Sequence, residues 1–412
     1  MFRASLFVAN IAIQMVFPTL SSIPIHKILT CRILFSDLRP LPDMKPEVDT
    51  ACDVLLIGHG LAGATLASAL EQAGKKVLII DQPLPGAASQ VASGMWNPLT
   101  FRLLLKSWRV DELLPAALSF YTSESTRLGI NMLQNLEILR VFPDEAADQR
   151  WKERLLDPAY AAYLSPDKPT LLPQNIDTKA KQGLVQQAGW LNLPAYLQAD
   201  SAMRLANGSL LEQPFSLSDV HFSTQGLRWH NFQAQQLVLC RGQFERQDRW
   251  FNWLPTKPAQ GDILTLRIPD IKLEQIYNAG FFILPLGNDT YRLGATYEWE
   301  QLEPGPTAAG KAELLTKFEA VYSGTYELLN HQGGIRPTVA DRRPLLGLHP
   351  EQARLGIFNG LGTKGVMVAP YFALQFAKFL CGEGQIEDEV NIKRFKKRYE
   401  QHTGSRWNDV AL

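Results

Sequence analysis

The sequence predicts an α/β fold in which a Rossmann-like nucleotide domain is interrupted by an inserted antiparallel-sheet α+β domain. Three observations point there. A strand, glycine turn, helix and second strand run from Val54 to Asp81; alternating apolar and aromatic runs fill Asp262 to Glu300; and a second glycine-rich turn, Asn359 to Gly365, feeds a final apolar helix.

The first unit begins with Val54-Leu55-Leu56-Ile57 and turns at Gly58-His59-Gly60-Leu61-Ala62-Gly63. Gly58 suits a tight turn, Gly60 lets backbone approach a pyrophosphate, and Gly63 allows close packing of helix on strand, so a dinucleotide phosphate meets the positive helix end. Lys76-Val77-Leu78-Ile79-Ile80-Asp81 closes the unit, and Asp81 stands about 20 residues on, where a ribose-binding acid is expected. A 2′-phosphate facing Asp81 is disfavoured, which leaves NAD or FAD. His59 is read as an exposed turn side chain without a role.

The chain has 412 residues, long enough for two joined domains, and its hydrophobic content of 46% supports a large core. Lys plus Arg and Asp plus Glu both number 41, so no basic excess points to nucleic acid or an anionic membrane. Small neutral or zwitterionic ligands fit better. Cys31, Cys52, Cys240 and Cys381 are far apart, form no metal pattern and read as reduced thiols of a cytoplasmic protein.

Residues 1–43 read as an extension outside the core. Met1 to Phe35 holds Arg3, Lys27 and Arg32 but no acid, and the apolar run Ala4 to Val16 is too short to span a bilayer. A signal peptide, a transit peptide and a working start at Met44 compete. The reading adopted is Met44, with no transmembrane segment.

After Asp81, small residues and prolines lead to Gly94-Met95-Trp96-Asn97-Pro98, a loop that permits close approach to a large planar ligand. Apolar spacing predicts a helix over Val110 to Ile130, then a polar, proline-bearing region over Pro143 to Gln174, and a helix opening at Gly189 to Leu197. Strands are expected at Gly208 to Leu211, Val220 to Phe222 and Leu237 to Cys240, the last stopped by Arg241-Gly242. In the Asp262 to Glu300 stretch, Gly287-Asn288-Asp289 separates strands of an antiparallel sheet. A helix over Ala309 to Tyr322, a strand at Leu355 to Phe358 and a helix over Val366 to Leu380 complete the reading.

Nucleotide-fold pieces thus flank the inserted sheet, and the second turn can set another helix start against the same cofactor. A helix N-terminus or lysine favours the anionic N1/C2=O locus of a reduced flavin, which tilts the choice to FAD. The division is then 44–140, 205–260 and 333–400 for a discontinuous FAD-binding domain, and 141–204 and 261–332 for a substrate domain.

Three patterns together carry a resemblance: Gly58 to Gly63 with Asp81, Gly334-Ile335-Arg336-Pro337, and Gly360-Leu361-Gly362-Thr363-Lys364-Gly365 before the last helix. From about Asp53 to Leu380 the chain resembles the D-amino-acid oxidase superfamily of FAD-dependent amine oxidoreductases, which includes glycine and sarcosine oxidases. The resemblance implies non-covalent FAD. Its contacts are expected at Gly58, Gly60, Leu61, Ala62 and Gly63; at Asp81 and Gln82; at Ala88, Ser89, Gly94 and Met95; at Gly242 and Gly334; and at Gly360, Gly362, Thr363, Lys364, Gly365 and Val366.

The resemblance also assigns Arg336 to the substrate carboxylate, which a guanidinium matches bidentately; the structural alternative is an ion pair with Asp341. Tyr277 matches a substrate-contacting tyrosine or is a core aromatic, and Phe281 stands where a second tyrosine is usual. Lys364 matches a lysine near flavin and carboxylate or is a solvated loop residue. Met95-Trp96-Asn97-Pro98 departs from the family's glycine-rich wording.

The expected activity is oxidation of the C–N bond of a small amino-acid-like substrate by hydride transfer to flavin N5, with Phe281, Phe282, Tyr277 and Trp96 as pocket walls and oxygen or a quinone as acceptor. Two other classes stay open. One is a modifier of a tRNA base side chain, against which the neutral charge counts; the other is a flavin-binding protein without turnover.

Overall fold

The computed structural model describes residues 50–167, 175–176 and 180–408. The extension 1–43 and the start expected at Met44 lie outside them. Val54–Ile57 and Val77–Asp81 are almost wholly apolar because both faces of their sheet are covered, and they pair in parallel. The six-stranded sheet runs Leu210–Glu212, Val77–Asp81, Val54–Ile57, Gln236–Leu239, Gln352–Asn359 and Leu345–His349, with only the last antiparallel to its neighbour.

That order matters for the site. Gln236–Leu239 is the one strand between Val54–Ile57 and Gln352–Asn359, and all three are parallel, so their carboxyl ends share an edge. The turns at Gly58, Arg241-Gly242 and Gly360 therefore meet where ligands bind in open α/β sheets. Helix Leu61–Gln72 is buried nearly all round because it lies between this sheet and the closing helix Gly365–Leu380, sharing a core with Val366, Phe372 and Phe376. The sheet's other face, including Leu55 and Ile57, packs with Leu227 and Trp229 of a four-stranded sheet.

The inserted sheet has seven strands in the order Glu327–Arg336, Ala259–Arg267, Thr290–Gly294, Phe282–Gly287, Ile276–Asn278, Ile138–Val141 and Gln182–Val185. Every pairing is antiparallel except Ile276–Asn278 with Ile138–Val141. Asn288 and Asp289 carry φ of 50° and 53°, the left-handed pair that a tight hairpin requires. Alternation sorts the two faces. Leu264, Leu266, Tyr277, Ile283 and Leu293 pack under helix Ala308–Glu319 with Leu314 and Phe318, while Gly261, Ile263 and Phe282 face the nucleotide domain.

One local expectation is corrected, and one stretch to which no element was assigned holds a helix. Gly189–Leu191 is a strand, pairing with Leu133–Asn135 and Met95–Trp96, and the helix starts only at Leu193, where the Asn192 side chain accepts from Ala195 N. Within the polar stretch after Pro143, Asp144 caps a helix, Glu145–Leu155, whose sole buried aromatic is Trp151. With so narrow an apolar stripe, helical periodicity left little trace.

Candidate active site

Glycine geometry builds the first turn. Gly58 has φ of 104°, and a Cβ there would lie 2.8 Å from the Cys240 carbonyl oxygen. A Cβ on Gly63 would lie 1.9 Å from the Gly58 oxygen, so helix and turn reach this contact only without a side chain. His59 N donates to Asp81 Oδ1 at 2.8 Å, and Leu61 N donates to Ser89 Oγ at 3.0 Å. Apart from the Leu61 N–H taken by Ser89, the helix start has no cap from Gly60 and no acid in its first turn, which leaves its other N-terminal N–H groups for a phosphate. These residues fit the pyrophosphate and ribose of FAD.

His59 itself overturns the expectation of an exposed side chain. It is buried, with Nε2 2.7 Å from Asp200 Oδ2. Burial alone would raise the Asp200 carboxyl, but the His59 hydrogen bond and the Arg204 and Arg127 charges hold it well below the usual carboxylate range. The network ties helix Leu193–Ala206 to the dinucleotide turn. A histidine between two turn glycines gave no sign of a buried acid contributed from so far along the chain.

One cavity of about 940 Å³ gathers the expected positions. Gly58, Gly60, Leu61 and Ala62 line it, as do Asp81, Gln82, Ala88, Ser89, Gly94 and Met95. Gly242, Gly334, Gly362, Thr363, Lys364, Gly365 and Val366 complete the expected cofactor positions, with Arg336 beside them. Gly63 and Gly360 are not on the wall; each supports a turn from behind, and a Cβ on Gly360 would lie 2.6 Å from Val339 Cγ2. Cys240 also borders the cavity, but burial raises its thiol far above the usual range, so it is a neutral wall residue.

Arg336 ends strand Glu327–Arg336. Its Nη1 donates to the Gln260 and Thr296 carbonyls at 3.2 and 3.3 Å, and the guanidinium lies 4.4 Å from the centre of the Tyr297 ring. Burial lowers its pKa. The ion pair with Asp341 does not form: that carboxylate takes Arg394 at 2.8 Å. Among the described residues Arg336 has no carboxylate partner, and it faces the cavity.

Lys364 is not solvated. Its Nζ donates to Asn97 O at 2.7 Å, Leu99 O at 3.3 Å and Ser107 Oγ at 2.5 Å, and burial pushes its pKa down to about 8.

Tyr277 is absent from the wall. Strand parity turns it to the opposite face of the sheet, where it is 1% exposed in the core under the helix, so the substrate contact expected of it is corrected to a packing role. Of the four expected aromatic walls, only Phe282 borders the cavity; Trp96 packs against Gly189 and donates to Gln187 O at 3.1 Å. Sequence reasoning missed Tyr297 and Gly261, both on the wall. A glycine inside an apolar strand was the available signal for Gly261.

The profile of the DAO family, described as FAD dependent oxidoreductase, matches residues 53–378. The chain belongs to this family of FAD-dependent oxidoreductases. It is 25% identical over 378 residues to the bifunctional protein ThiO/ThiG of Trichormus variabilis, covering 84% of this chain and 55% of that protein. It is 22% identical over 347 residues to the glycine oxidase of Geobacillus kaustophilus, covering 79% of this chain and 92% of that one. The crystal structure of iminodiacetate oxidase from Chelativorans sp. BNC1 shares the fold, with a TM-score of 0.66 at 21% identity over 82% of this chain and 99% of that one. The chain spans about half the length of the ThiO/ThiG relative it matches. Among the described residues, no helix is long and apolar enough to cross a membrane.

Proposed function

We propose that the protein oxidises small amino-acid-like substrates at the carbon bearing the amine. Bound FAD supplies the two-electron acceptor, at N5 of its ring. The observation that carries the reading is Arg336: a half-buried guanidinium, without a carboxylate ion-pair partner among the described residues, on the wall that also holds both glycine turns. A partly desolvated cation is costly unless an anion or hydrogen bonds compensate it, and a substrate carboxylate completes this one in bidentate geometry. Gripping the carboxylate fixes the neighbouring C–H, and positioning of that kind supplies much of the rate. Ile263, Phe282 and Met95 line the same space and exclude water, which favours the neutral amine needed for hydride loss. Water then hydrolyses the imino acid to a keto acid and an amine. Glycine oxidase and iminodiacetate oxidase, by their names, act on small carboxylate-bearing amines, which supports the reading.

The test is a turnover screen of the FAD-loaded protein with glycine, N-methylglycine and D- and L-amino acids, reading keto acid and released amine with oxygen or a quinone as acceptor. Turnover of a carboxylate-bearing amine, with none of its decarboxylated analogue, is expected. Absence of turnover and of flavin reduction across the panel contradicts the proposal.

A further inference from the structure

Two cations, the buried Arg140 and the half-buried Lys364, neither with a carboxylate ion-pair partner among the described residues, contact the same short hairpin. Strands Leu99–Thr100 and Leu105–Lys106 pair antiparallel, and Asn97, Leu99 and Thr100 border the cavity. At the hairpin's base, the Lys364 ammonium donates to Asn97 O, Leu99 O and Ser107 Oγ. Past the first strand, the Arg140 guanidinium lies 4.8 Å from the centre of the Phe101 ring and donates to Asn278 Oδ1 at 2.6 Å. Lys364 belongs to the closing glycine turn and Arg140 to the inserted sheet, so the hairpin is fastened to both parts of the molecule across the cavity wall.

The three acceptors around the Lys364 ammonium match the three donors it has. A substrate carboxylate could take this ammonium only by displacing one of them. Arg336, by contrast, spends two weak contacts on carbonyls and keeps the rest of its fork open to the cavity.

We propose that Lys364 is a positioning residue: its ammonium, together with Arg140 at Phe101, fastens the Leu99–Lys106 hairpin as a fixed wall of the substrate space, and carboxylate recognition falls to Arg336 alone. The second half rests on the amino-acid reading above; the first does not.

The test uses the full-length FAD-loaded protein. Amide hydrogen exchange across residues 99–107 is compared in wild type, Lys364→Met, Ser107→Ala and Arg140→Met, and acetate is titrated against the flavin spectrum of wild type, Lys364→Met and Arg336→Met. Loss of Lys364 is expected to speed hairpin exchange tenfold or more and to weaken acetate less than threefold, while Arg336→Met weakens acetate at least thirtyfold. Ser107→Ala removes one of the three acceptors and is expected to give a smaller rise in exchange, which keeps the fastening testable if Lys364→Met does not fold. Unchanged hairpin exchange in both Lys364→Met and Ser107→Ala overturns the fastening, and acetate lost equally in Lys364→Met and Arg336→Met overturns the division of labour. If wild type binds no carboxylate at all, the amino-acid reading fails while hydrogen exchange still decides the fastening.

Discussion

The Arg336 guanidinium lies over the backbone of Gly261: a Cβ on Gly261 would come within 2.2 Å of Nη2 and 2.3 Å of Nη1. The two residues sit on neighbouring strands, in a register that pairs Gly261 with Gly334 and Ala259 with Arg336. The missing side chain is what lets the guanidinium lie flat on the sheet with its donors along the cavity wall. Gly261→Ala is expected to displace it and lower kcat/KM at least tenfold with FAD still bound, as steady-state kinetics and the flavin absorbance together report.

Removing the cation has a larger effect. Truncating one partner of a desolvated, hydrogen-bonded charge pair costs about 2 to 5 kcal/mol, so Arg336→Met is expected to reduce kcat/KM for carboxylate substrates about a hundredfold or more. Retained flavin and an unchanged melting temperature separate this from misfolding.

In the dinucleotide turn, Gly63→Ala forces a methyl into the Gly58 carbonyl and is expected to abolish FAD retention on gel filtration. Gly384→Ala is the control. A Cβ there meets only Lys378 Cβ at 3.5 Å, an ordinary contact, and flavin content is expected to match wild type.

Strand parity separates two aromatics that the sequence grouped together. Phe282→Ala opens the cavity wall and is expected to raise KM severalfold, whereas Tyr277→Phe acts on the face of the sheet turned away from the cavity and leaves kcat/KM within about twofold. Steady-state kinetics on the two variants checks both.

His349 gives a pH dependence of stability. It is buried against Trp250, Phe251 and Tyr399, and burial pushes its pKa down to about 4. The unfolded chain takes up this proton below about pH 6.5, so between that value and the folded one the unfolded state binds more protons. Stability is lost as pH falls through that window, by about 3 kcal/mol at its lower end. Urea denaturation of wild type and His349→Gln at matched pH values is expected to show that the variant lacks this part of the acid loss.

Much of the nucleotide domain was legible because its constraints are local. A glycine that must turn, a helix start that must stay uncapped and an apolar strand buried on both faces each leave a mark within a few residues, as Gly58, Gly60 and Val54–Ile57 do. The place of Arg336 on the cavity wall was legible from the Gly334-Ile335-Arg336-Pro337 pattern. What escaped depends on partners far along the chain: His59 on Asp200, Lys364 on the Asn97 and Leu99 carbonyls, and Tyr277 on which face its strand presents. Register decides the last, and a single sequence does not display register. The helix Glu145–Leu155 escaped for a simpler reason, since its exposed surface is polar nearly all round.

Anaerobic titration of the FAD-loaded protein with a carboxylate-bearing amine, run in parallel on wild type and Arg336→Met, decides whether Arg336 grips the substrate during flavin reduction. Bleaching of the flavin band in wild type, with the variant's flavin bound but unbleached at the same concentrations, is the result expected. Equal bleaching in both proteins, or a wild-type spectrum that no amino acid moves, would contradict it.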